Sequence, residues 1–105
     1  RLALWRAAKG DKLKLSLPVE KAGRATLRLV ALHRPDGATV RLLLDGRPLV
    51  AGSGAEQVRL QSDFAPRILN VNLKPLTLQA GTRELIIECV DAGVVGLDYL
   101  WLKTE

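Results

Sequence analysis

Gly96-Leu97-Asp98-Tyr99-Leu100-Trp101-Leu102 is apolar on both parities, more than a strand with one face in solvent requires. Successive side chains of a strand point to opposite faces, so Leu100 and Leu102 share one face while Tyr99 and Trp101 share the other. With the leucines on a core, the two rings stand on the far face and need covering. The segment reads as the closing strand of a two-sheet sandwich. Parity also sends Asp98 the way of Leu100 and Leu102, toward the interior, where a carboxylate must be paired, hydrogen-bonded or metal-bound. On that reading Asp98→Ala costs folding stability more than binding.

Working outward, every convincing window has period two. Lys12-Leu13-Lys14-Leu15-Ser16-Leu17 alternates strictly, placing Leu13, Leu15 and Leu17 inward, and Pro18 keeps its strand from pairing centrally. Leu27, Leu29 and Ala31 alternate with Arg24, Thr26 and Arg28. Arg34-Pro35-Asp36-Gly37 has turn chemistry, and Val40, Leu42 and Leu44 follow it, so a hairpin is expected across this turn, with Arg28 and Arg41 on one outward face. Asp45-Gly46 signals a second tight turn. Ala51-Gly52-Ser53-Gly54-Ala55 reads as a crossover between sheets. Residues 57–60 and 67–73 flank the loop Ser62-Asp63-Phe64-Ala65-Pro66, and Leu85, Ile87 and Cys89 alternate with Glu84, Ile86 and Glu88 in a later strand. Turn signals recur about every eight to twelve residues with no sustained helical period, which predicts an all-β, antiparallel two-sheet sandwich of jelly-roll type. Near-neighbouring terminal strands would put Trp5 of Leu2-Ala3-Leu4-Trp5 beside Trp101.

The 105 residues make one domain, 1–105, able to build a core without metals or disulfides. With aromatics at 4% and hydrophobics at 48%, that core must be filled by Leu, Val, Ile and Ala. Cys89, the single cysteine, sits in an apolar run as a small hydrophobe. The absence of any Met, even at position 1, suggests a chain cut from a longer polypeptide. No window has the roughly 18 apolar residues of a membrane span, and membrane association is not expected. The formal charge of +5 is spread along strand faces, with no basic helix, zinc-finger spacing or aromatic-rich ribonucleoprotein motif, so nucleic-acid binding is not expected either.

Catalysis finds little to work with. His33, the only histidine, lies at a strand end beside a turn. Asp36, Asp45, Asp63 and Asp91 lie in turns, where a carboxylate caps backbone N–H groups. The chain therefore reads as a non-enzyme. Trp5, Tyr99 and Trp101 are the candidate binding residues: rings can stack on sugar C–H faces, pack on a neighbouring domain or subunit, or cap the core.

Several ordered signals carry a resemblance. They are Gly10-Asp11-Lys12-Leu13-Lys14-Leu15, Ala22-Gly23, residues 40–44 with Asp45-Gly46, Leu78-Gln79-Ala80-Gly81 before Thr82-Arg83-Glu84-Leu85, and Gly96-Leu97-Asp98-Tyr99-Leu100. Spanning nearly the whole chain, they resemble the non-catalytic jelly-roll modules, galactose-binding-like or carbohydrate-binding-module-like, of bacterial glycoside hydrolases and related secreted enzymes. The resemblance implies an accessory module that holds an attached enzyme near a polysaccharide, or a structural module packing on a neighbouring domain or subunit. It also implies an extracellular or periplasmic setting. In several relatives an Asp placed like Asp98 holds a structural calcium, but the acidic partner of the first strand is missing here, so no cofactor is expected beyond a weak calcium candidacy of Asp98. The loop that is longer and polar in resembling proteins is trimmed here to Asp91-Ala92-Gly93-Val94-Val95.

Overall fold

The computed structural model describes residues 3–63 and 66–104. Ten strands run through them: β1 (Ala3–Ala7), β2 (Lys12–Val19), β3 (Gly23–His33), β4 (Thr39–Leu44), β5 (Arg47–Pro48), β6 (Val58–Arg59), β7 (Arg67–Asn72), β8 (Leu76–Leu78), β9 (Gly81–Asp91) and β10 (Gly93–Thr104). Sheet A has the order β1-β10-β3-β7 with β8 also on β3; sheet B has β2-β9-β4-β5 with β6 also on β4. Every strand pair is antiparallel: β10 with β1 and β3, β9 with β2 and β4, β3 also with β7 and β8, and β4 also with β5 and β6. The topology is that of a long hairpin rolled into two stacked layers, the jelly-roll sandwich expected from the sequence.

Aliphatic side chains fill the space between the sheets. Leu27, Leu29 and Ala31 of β3 meet Val40, Leu42 and Leu44 of β4 and Leu85, Ile87 and Cys89 of β9, all buried in one cluster. Leu13, Leu15 and Leu17 of β2 pack against it from the sheet edge, where Pro18 interrupts no central ladder. At the β4–β5 turn Asp45 and Gly46 both have positive φ, 48° and 82°, the twist of a type I′ hairpin.

Two connections differ from the sequence reading. β3 and β4 do not pair: residues 34–37 carry the chain from sheet A to sheet B, so Arg28 and Arg41 stand on opposite sheets. Val94 and Leu60, whose carbonyls accept from Ala38 and Arg34 (2.9 and 3.0 Å), bind this crossover in place of a hairpin partner. Conversely, the segment at 51–55 is no crossover, because β5 before it and β6 after it both pair with β4. The passage back to sheet A comes between β6 and β7.

Candidate functional site

The outward faces of the two sheets differ in kind. On sheet B, Glu88 takes ion pairs from Arg41 and from Lys12 (3.8 Å), making a solvated, charge-matched surface. The outward face of sheet A instead carries the large exposed hydrophobics of the described chain: Leu4 (53% exposed), Ile68 (51%), Tyr99 (51%) and Trp101 (45%).

The register explains how they meet. Leu4 lies opposite Gly96 and Leu32 opposite Ile68, while a Cβ at Gly96 would come within 2.9 Å of Leu32 Cδ1. The Leu32 side chain therefore lies over the glycine, joining the β1 and β7 ends of this apolar row. The next row is Tyr99, Val30 and Asn70; the one after it is Trp101, Arg28 and Asn72. Val30 is only 2% exposed although it points away from the main core, so this face has a covered floor of its own. Arg28 closes the aromatic end. Its guanidinium carbon sits 4.8 Å from the Trp101 ring centroid, and its Nε donates to Asn72 Oδ1 at 3.0 Å.

A β-bulge sets the facing of β10. Leu97 opposes Ala31 and Tyr99 opposes Val30, leaving Asp98 as the extra residue. Leu97 and Leu100 can thus both face the core while Tyr99 and Trp101 face out. Asp98 is half-buried at this irregularity, as are Leu100 and Leu102, and its carboxylate has no hydrogen bond or ion pair among the described residues. No group of three or more His, Cys, Asp or Glu placed to hold a metal occurs among those residues.

The three rings do not form one patch. β1 does lie beside β10, but Trp5 pairs with the buried Val95 and packs against the core, opposite in facing to Leu4. It walls a cleft of about 200 Å³ between the sheets with Ala7, Leu13, Val40, Ile87 and Cys89. The patch has instead Leu4, Leu32 and Ile68, which the sequence reading did not assign to it. Their signal was present in the outward parity of each strand, but pairing partners are needed to see them as neighbours.

Other polar groups have local roles. The His33 ring Nε2 donates to the Gln61 carbonyl (2.9 Å), bracing the β3 end. Arg6 and Arg34 both engage Asp36 beside the groove at the loop end of the sandwich. Burial pushes the Cys89 thiol pKa up, with Asp11 and Asp91 adding to the effect.

No protein-family model matches the chain. Nor does any curated protein sequence. Among solved structures, a "novel family GH115 4-O-Methyl-alpha-glucuronidase" described "with specificity for decorated arabinogalactans" is similar, with a TM-score of 0.62 at 19% identity. The match covers 97% of this chain and 14% of that one, so what is shared is the fold of a small β-sandwich within a much larger glycoside hydrolase.

Proposed function

We propose that this chain is a non-catalytic accessory module of a carbohydrate-active protein and that the outward face of sheet A holds a glycan. The observation carrying this reading is the pair of half-exposed rings, Tyr99 and Trp101, two residues apart and flanked by Arg28, Asn70 and Asn72. Rings offer apolar area to sugar C–H groups with little rotamer entropy lost, while amides and a guanidinium suit hydroxyls. Likeness to a small part of a glycoside hydrolase supports the accessory role. Titration with a panel of soluble glycans, followed by calorimetry, is expected to give saturable binding that Trp101→Ala and Tyr99→Ala abolish while the fold, followed by circular dichroism, is retained. Failure of every glycan to bind would reject the reading.

Leu4 and Ile68 favour a second reading, because aliphatic groups at the far end of the patch suit a protein surface better than a sugar. In that case the face packs on a neighbouring domain or subunit. Light scattering then detects self-association, or the module binds its adjoining domain, and Leu4→Ser with Ile68→Ser weakens that contact.

A further inference from the structure

We infer that the glycan held on this face is an acidic one, with its carboxylate received by Arg28; this rests on the glycan reading above. Arg28 is half-buried and fixed twice, by the Trp101 ring at 4.8 Å and by Asn72 Oδ1 at 3.0 Å. Both contacts leave its terminal nitrogens, Nη1 and Nη2, without a hydrogen-bond partner among the described residues. Arg6, Arg34, Arg41 and Arg83 each have a carboxylate in reach; Arg28 has none among those residues. Its row neighbours add no negative charge: Thr26, Val30, Asn70, Asn72, Tyr99 and Trp101 are neutral, and Lys103, opposite Thr26, is cationic. A guanidinium already immobilised loses little side-chain entropy on binding, and its planar fork matches a carboxylate in two parallel hydrogen bonds. The ring beside it takes the sugar body while the fork takes the acid group, a combination that a neutral hexose does not use.

The test compares oligogalacturonides with neutral galacto-oligosaccharides of equal length by calorimetry, with dextran sulfate as a further arm, at fixed ionic strength. Expected is at least tenfold tighter binding of the uronate ligand. Arg28→Gln should erase that preference, lowering uronate affinity at least tenfold more than neutral affinity, and Lys14→Gln, which removes one charge from the outward face of sheet B, should leave the preference intact. Equal affinity for acidic and neutral ligands, unaltered by Arg28→Gln, overturns the inference and spares the glycan reading. Binding of none overturns both. Binding of dextran sulfate as tight as the uronate, weakened equally by Arg28→Gln and Lys14→Gln, shows diffuse polyanion attraction and also overturns the inference.

Discussion

Two tryptophans in one chain have opposite duties. Trp5 packs into the core margin, so Trp5→Ala should destabilise the fold by about 2–4 kcal/mol. Trp101 is 45% exposed, so Trp101→Ala should cost under about 1 kcal/mol, chiefly its contact with Arg28. Denaturant melts of the two variants check the contrast. The sequence carried the outward facing of Tyr99 and Trp101 in plain alternation, but for Trp5 it carried only a facing opposite to Leu4, and no single strand says which face is core. The irregularity at Asp98 was not legible because alternation is a rule for regular ladders, and one inserted residue resets it. At Cys89 the raised thiol pKa has a stability consequence. Unfolded chains lose the thiol proton near the ordinary value of 9.0 while the native state retains it, so the contribution is full below pH 9 and declines above it. Native protein at pH 8 should therefore react slowly with a thiol reagent, and stability should fall more steeply above pH 9 than in Cys89→Ala.

Among elements, β10 was read correctly as the closing strand, since it alone joins β1 to β3, yet its bulge was not legible. Removing Asp98 should turn the ladder regular with Tyr99 still opposite Val30, keeping the fold and both rings outside. Removing Leu100 should instead turn Trp101 inward and prevent folding. Circular dichroism melts of the two deletions separate these outcomes. The β3–β4 connection was read as a hairpin because Pro-Asp-Gly chemistry suits a tight turn within a sheet and a turn between sheets alike. What distinguishes them is tertiary. A Cβ on Gly37 would come within 2.0 Å of the Leu60 carbonyl oxygen, so the chain passes here only without a side chain. Gly37→Ala should cost about 3 kcal/mol or more by thermal denaturation.

For the whole molecule, period-two patterning and an aliphatic composition were enough to indicate two packed layers, because they follow from local chemistry. Which strand meets which was only partly legible, since pairing depends on contacts made far along the chain. The outward face of sheet A is the clearest case: its row from Leu4 through Leu32 to Ile68 draws on three strands distant in sequence. The same topology bears on synthesis. Because β1 has β10 as its sheet neighbour, β1 must wait for β10 to leave the ribosome before it finds a mate, and β2 waits almost as long for β9. A chain truncated before residue 93 should thus remain protease-sensitive, with the arrival of β10, rather than gradual emergence of the strands before it, setting the moment at which this sandwich acquires its shape.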